Sequence, residues 1–327
     1  MLYTVEVVIN GLMTGVLYSL VALGFVLIFK ASGIFNYAQG VMALFAALTL
    51  VGIMEGQVPF GHLVNVVFGT DIHGFGWTVP AFAAILLTLG VMVLLAWAVN
   101  RFVLRHLVGQ EPIILFMATI GLAYFLEGVG DLMWGSDVRT LDVGIPQGGS
   151  LLIEEWTAGL GSDAFFGFFI DRLDIVAAIT AGLLVAALVA FSQYTKQGRA
   201  LRAVADDHQA ALSVGISLSF IWVLVWSIAG FVALVAGIMW GAKSGVQFSL
   251  SLIALKALPV LMLGGFTSIP GAIVGGLIVG VGEKLFEHTL GGLIGGATET
   301  WFAYVLALGF LVFRPQGLFG ERIIERV

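Results

Sequence analysis

Repeated apolar stretches of about 20 residues constrain this chain more than any other feature. They fall near 5–29, 33–53, 77–100, 112–134, 174–194 and 218–241. A helix needs roughly 20 apolar residues to cross about 30 Å of hydrocarbon, so each of the six is long enough. A shorter stretch at 252–263, a Gly-rich one at 271–287 and a last one at 299–313 follow. At about 1.5 Å per residue the stretch 252–263 reaches only about 18 Å and is not expected to cross alone. Of the whole chain, 60% is hydrophobic and only 10% charged, against roughly 25% charged in a soluble domain. Apolar runs of this length read as membrane helices. The expected fold is all-α. It is a polytopic transmembrane bundle of about 8–9 membrane segments with broken or re-entrant helices, forming one domain over 1–327.

Glycine, at 44 residues, stands well above its usual share of about 7%. Small residues let membrane helices approach closely and tolerate breaks that line a pathway. With no cysteine, disulfides, thiolate metal sites and thiol nucleophiles are excluded. The net charge of −6 is diffuse and points to no nucleic-acid or polybasic-lipid partner. No basic region precedes Val5 and no A-x-A site follows the first apolar run, so that run reads as a retained membrane helix.

Basic residues set the orientation. Arg101 and Arg105 share one connection, Lys196, Arg199 and Arg202 another, and Arg314, Arg322 and Arg326 lie in the tail. The connection 135–173 holds Asp137, Asp142, Glu154, Glu155, Asp163 and Asp171 against Arg139 and Arg172, and 54–76 has no Lys or Arg. The positive-inside rule places 101–110, 196–217 and the C-terminus in the cytoplasm, with 54–76 and 135–173 outside. The side of the N-terminus, and whether 252–263 crosses or re-enters, stay open.

Two polar interruptions echo each other, Gly33–Gly40 and Gly264–Gly271. They are either paired breaks of two repeats around a midplane site or two ordinary loops. Within 196–217, Leu201, Val204, Ala205, His208, Ala211, Leu212 and Gly215 fall on one helical face. Arg199, Arg202, Asp206, Asp207, Gln209 and Ser213 form the other. Helices lying on lipid usually carry a Lys/Arg-rich polar face. Here two Arg offset two Asp, which suits a protein partner or a plain surface helix.

Gly198-Arg199-Ala200-Leu201-Arg202-Ala203-Val204-Ala205-Asp206-Asp207, running on to Gly215-Ile216, resembles the coupling-helix loop of branched-chain amino-acid ABC transporter permeases of the LivH type. Four further pieces agree in order: Gly33 to Gly40, Thr119–Leu122 with Trp134–Asp137, Leu255–Ala257 with Leu263 through Gly276, and Phe313–Gly320. The similarity runs nearly end to end, with 55–76 and 151–171 least familiar. Tyr37 and Gln39 depart from the family's N-F-A-H-G pattern.

The resemblance implies a permease that pairs with a second, identical or homologous permease in the cytoplasmic (inner) membrane. Two cytoplasmic ATP-binding subunits would drive it, and an extracytoplasmic solute-binding protein would feed it. The solutes implied are branched-chain or hydrophobic amino acids, or, in close relatives, urea or short amides. A stand-alone channel or secondary transporter is the competing reading. The resemblance assigns Asn36, Tyr37, Gln39, Gly40, Thr119, Gly264, Gly265 and Ser268 to the substrate pathway. ATPase coupling falls to Gly198, Arg199, Leu201, Arg202, Ala205, Asp206, Asp207, Leu212 and Gly215, within a coupling helix at 196–216.

Each residue also has a plainer role. Asn36 and Gln39 would cap a helix break, and the Thr119 hydroxyl would bond its own helix backbone. Glu127 and Asp131 are ionisable residues near one helix end, placed to attract a docking protein at the outer mouth. Glu283, Lys284 and Glu287 suit a solvated helix terminus. Lys256 either snorkels or pairs inside the bundle. Gly271, Gly275, Gly276 and Gly280 have the spacing of close helix packing.

Gly237–Ser244 approaches a phosphate loop but has Ala242 in place of the second glycine and follows no strand. His62, His73, His106, His208 and His288 show no metal-ligand spacing, and no nucleophile motif is present. No catalysis, cofactor or metal is expected.

Overall fold

A computed structural model describes residues 2–69, 74, 76–107, 109–149 and 170–320. Glu154, Glu155, Asp163, His73, Arg322 and Arg326 lie outside the described residues, as do the side chains of His62 and His208. The described chain is helical, with two isolated β-bridges and no strand among those residues. In order the helices are α1 (Leu2–Ser32), α2 (Gln39–Met54), α3 (Gly61–Phe68), α4 (Ala81–Phe102), α5 (Pro112–Trp134) and α6 (Arg172–Tyr194). Then come α7 (Lys196–Asp206), α8 (His208–Ser213), α9 (Leu218–Ser244), α10 (Ile253–Gly264), α11 (Ile269–Phe286) and α12 (Phe302–Phe313). A π turn, Glu287–Gly291, carries the helical run of α11 on to Ile294.

Among the described residues six helices are long and apolar enough to cross a membrane, with three shorter apolar helices beside them. The stretch 33–53 is not among the six. Residues 33–38 are non-helical, and α2 keeps only 16 residues, about 24 Å at 1.5 Å per residue. Its place is taken by Ile269–Ile294, which outruns the expected 271–287 because the π turn does not stop the helix. The connection 54–76 holds α3, and 252–263 is α10, preceded by a 3₁₀ turn at Phe248–Leu252.

Contacts divide the chain into two compact units. One comprises Met1–Ala22, Ile145–Val185 and Leu255–Val327, the other Leu23–Gly144 and Ala186–Ala254.

The second unit is built around α2. Every residue from Gln39 to Gly52 is buried, and α4, α5 and α9 wrap the helix. Close approach explains two glycines. A Cβ on Gly237 of α9 would sit 2.5 Å from the Ala43 carbonyl oxygen, and one on Gly52 would collide with the Trp134 ring. At one end of this unit Arg139 bonds Gln57 (2.7 Å), Glu55 (3.4 Å) and the Trp134 carbonyl, and bridges to Val246. At another point Asn100 donates to Ser219 (2.8 Å), tying the end of α4 to the start of α9.

In the first unit α1 and α11 run antiparallel in backbone contact. Gly11 faces Val281, Gly15 faces Leu277, and the Ser19 hydroxyl lies 3.2 Å from the Ala272 carbonyl. A Cβ on Gly11 or Gly15 would stand 2.7 or 2.8 Å from the opposing Cα.

Candidate functional site

The break between α1 and α2 is built by polar side chains turned inward. Gly33 ends α1 in the left-handed region (φ 67°), its N–H donating to Phe29 (2.8 Å). Asn36 Oδ1 accepts from Ala38 N (3.2 Å), the local bond with which Asn stabilises turns. Its Nδ2 donates to Gln39 Oε1 (3.3 Å), and Gln39 Nε2 donates to the Ala229 carbonyl of α9 (3.3 Å). From α5 the Thr119 hydroxyl accepts from Tyr37 N (3.1 Å) and lies 2.8 Å from the Phe116 carbonyl and 3.1 Å from that of Phe35. Thr119 therefore serves its own helix and the break together.

Asn36, Gln39 and Thr119 are almost wholly buried, with partners inside the protein. The half-buried face in front of them is aromatic. Phe35 and Phe116 have centroids 5.7 Å apart, and Tyr37 meets Phe116 edge-on at 6.2 Å. Gly40 permits the packing, because a Cβ there would collide with Ser251 and Ala254. Asn36, Tyr37, Gln39, Gly40 and Thr119 thus belong to one constellation. Sequence reasoning missed Phe35 and Phe116, whose only signal was aromatic residues bordering a break.

Gly264, Gly265 and Ser268 belong to the other unit. A Cβ on Gly264 or Gly271 would strike the backbone of the other, so α10 and α11 turn in direct contact. Gly265 is left-handed (φ 100°), and Ser268 Oγ accepts from Gly271 N (3.1 Å), capping α11.

The same unit holds a buried ion pair. Lys256 Nζ lies 2.7 Å from Glu283 Oε1, Tyr18 donates to Glu283 Oε2 (2.9 Å), and Lys256 also donates to the Glu299 carbonyl. Glu283 has no exposed side-chain surface and Lys256 keeps 23% of its own. Lys256 therefore pairs inside the bundle. The expected solvated terminus at Glu283 is corrected, because the helical run continues to Ile294. Lys284 pairs with Glu299 at 2.7 Å, and Glu287 accepts from Thr298 N at 2.7 Å.

Residues 196–216 form two helices rather than one. Asp207 is extended (φ −155°, ψ 112°), and its Oδ1 accepts from Gln209 N (2.8 Å) and Ala210 N (3.0 Å), so it caps α8 and interrupts the run. Leu201, Val204 and Ala211 are buried and Ala205 half-buried, whereas Leu212 is 52% exposed and Gly215 is also exposed. Both departures from the expected face follow from the change of direction at Asp207. Arg199, Arg202, Asp206 and Asp207 are exposed. Gly198 seats α7 against α6, since a Cβ there would meet Phe191 and Ser192.

The chain matches the family described as "Branched-chain amino acid transport system / permease component" over residues 7–314. It belongs to that family. The high-affinity branched-chain amino acid transport system permease protein LivH of Escherichia coli K12 is 28% identical over 330 residues, covering 100% of this chain and 98% of that protein. The corresponding permease protein BraD of Pseudomonas aeruginosa is 27% identical over 328 residues, 98% of this chain and 96% of the relative. Among solved structures, PsaBC from Streptococcus pneumoniae in complex with Fab aligns over 93% of this chain and 89% of that one, at 14% identity and a TM-score of 0.43, too distant to bear on the argument. This member of the branched-chain amino acid permease family is thus a multi-pass membrane protein and a transport permease component. Its relatives are named as permeases rather than enzymes.

Proposed function

We propose that this permease is the membrane-spanning subunit of an ABC importer in the cytoplasmic membrane, moving branched-chain or other hydrophobic amino acids inward with ATP hydrolysed by partner subunits. It pairs with a second permease, identical or homologous, and is served by two cytoplasmic ATP-binding subunits and an extracytoplasmic solute-binding protein. The observation that carries the reading is the α7–α8 element. It is seated by Gly198, Leu201, Val204 and Ala211, and it offers an outward face of Arg199, Arg202, Asp206 and Asp207 beside exposed Leu212. Such a mixed-charge face suits a protein surface better than an anionic membrane. The positive-inside rule assigns it to the side where ATP is found. Motion of the ATPases reaches the bundle through this element.

The pathway runs by the break at 33–40. Asn36, Gln39 and Thr119 hold its shape, and Phe35, Tyr37 and Phe116 offer the apolar face that a branched side chain would meet. This aromatic face favours hydrophobic amino acids over urea or short amides. Gly264, Gly265 and Ser268 act by shaping the α10–α11 turn.

Gentle extraction of the tagged chain from its native membrane tests the reading. ATPase subunits in stoichiometric amounts, with hydrolysis stimulated by a binding protein and leucine uptake in proteoliposomes, are expected. A stable complex that moves solute without any ATPase would instead identify a channel or secondary carrier.

A further inference from the structure

Residues 314–320 fold back on the turn between α10 and α11. Gly317 adopts a left-handed φ of 78° and donates to the Arg314 carbonyl (3.1 Å), reversing the chain after α12. Leu318 N then donates to the Leu263 carbonyl (2.7 Å) and Phe319 N to that of Gly264 (3.1 Å). Those two carbonyls end α10, where a helix has no internal donors left to offer. Helices commonly satisfy these groups with their own next residues. Here the donors arrive from more than 50 positions downstream.

The contact is backbone against backbone. A Cβ on Gly265 would stand 2.8 Å from Gly320 N, and one on Gly317 would stand 2.7 Å from Gly265 N. Gly317 is buried, and both Gly265 and Gly317 hold positive φ, which only glycine adopts without strain.

We propose that Arg314–Gly320 is a permanent strap on the α10–α11 turn, so that the turn and the tail move as one rigid body throughout the working cycle. Backbone groups fill the joint, and separating them would strand the Leu263 and Gly264 carbonyls beneath an apolar bundle. A contact made to open and close would instead present side chains that water can replace. The proposal requires neither a particular solute nor a particular motor.

The chain contains no cysteine, so F266C/F319C places one thiol on each side of the joint in an otherwise thiol-free protein. Gly265 abuts the Phe319–Gly320 backbone, Phe266 is the next residue and half-buried, and Phe319 is about half exposed, so the two positions flank the joint and neither fills the core. Mild oxidation or a short bismaleimide in native membranes is expected to cross-link the pair. Uptake of radiolabelled leucine by the cross-linked protein is expected to equal that of the reduced protein. Failure to cross-link would show that the strap does not exist. Cross-linking that abolishes uptake, with recovery on reduction, would show that it opens in each cycle. Adding G317V to the pair is expected to lose the cross-link while the protein still inserts, and retention of the cross-link would equally overturn the proposal. Absence of leucine uptake by the unmodified protein would count against the importer reading and leave the cross-linking results standing.

Discussion

Glu283 is the residue on which most depends locally. It is fully buried, shared by Lys256 and Tyr18, and joins α1, α10 and α11 through one carboxylate. Removing one partner of a buried pair strands the other, at about 3–5 kcal/mol, whereas replacing both with apolar residues is often neutral. E283M and K256M should therefore each lower the unfolding midpoint in detergent markedly, and K256M/E283M should recover much of the loss. Simple additivity in that double-mutant cycle would mean the two charges are not coupled. At the break, T119V removes the acceptor for Tyr37 N and should destabilise by about 1–3 kcal/mol, while T119S should be close to wild type. Hydrogen–deuterium exchange at 33–40 would report the difference. Lys256 and Asn36 were visible in the sequence as polar intrusions in apolar runs. Their partners were not: Glu283 lies 27 positions from Lys256, and no local period links Gln39 to Ala229.

At the scale of elements, hydropathy located the long spans because lipid imposes a length and a polarity that local sequence must satisfy. It missed boundaries where something other than lipid decides. The expected helix from 33 begins at Gln39 because Asn36 and Thr119 hold the backbone open before it. The period over 196–217 runs unbroken through Asp207, yet its carboxylate caps α8 and divides the element. D207A should cost about 1 kcal/mol of local stability, visible as faster amide exchange in α8. L212E alters an exposed position, so the protein should insert and assemble while ATP-driven uptake is lost. Unchanged uptake would remove the coupling role from this element. The spacing of Gly271, Gly275, Gly276 and Gly280 foretold close packing without naming the partners, which are α10 for Gly271 and Gly275 and α1 for Gly276 and Gly280. G276L should block that contact and lower the amount of folded protein in the membrane, measured by detergent-extractable monodisperse protein.

At the scale of the whole chain, the side of the N-terminus was not legible, because α1 alone carries too little charge to orient itself. Antiparallel packing of α1 on α11 supplies what was missing. Residues 314–320 are bound to the turn that opens α11, so on the expected topology, with the basic tail in the cytoplasm, α1 would begin on the opposite side. A single cysteine at the exposed position Val5 should react with a membrane-impermeant maleimide applied from outside, and labelling only after the membrane is opened would reverse the orientation. The buried α2 has a consequence for how the protein is made. Its enclosure is completed by α9 and the Phe248–Leu252 turn that follows it, which the ribosome finishes about 200 residues after α2, roughly 10–40 s later at ordinary elongation rates. For that interval a short helix carrying Gln39 and Thr49 has only part of its shelter, so biogenesis rather than the finished fold sets the moment of greatest vulnerability to membrane proteases.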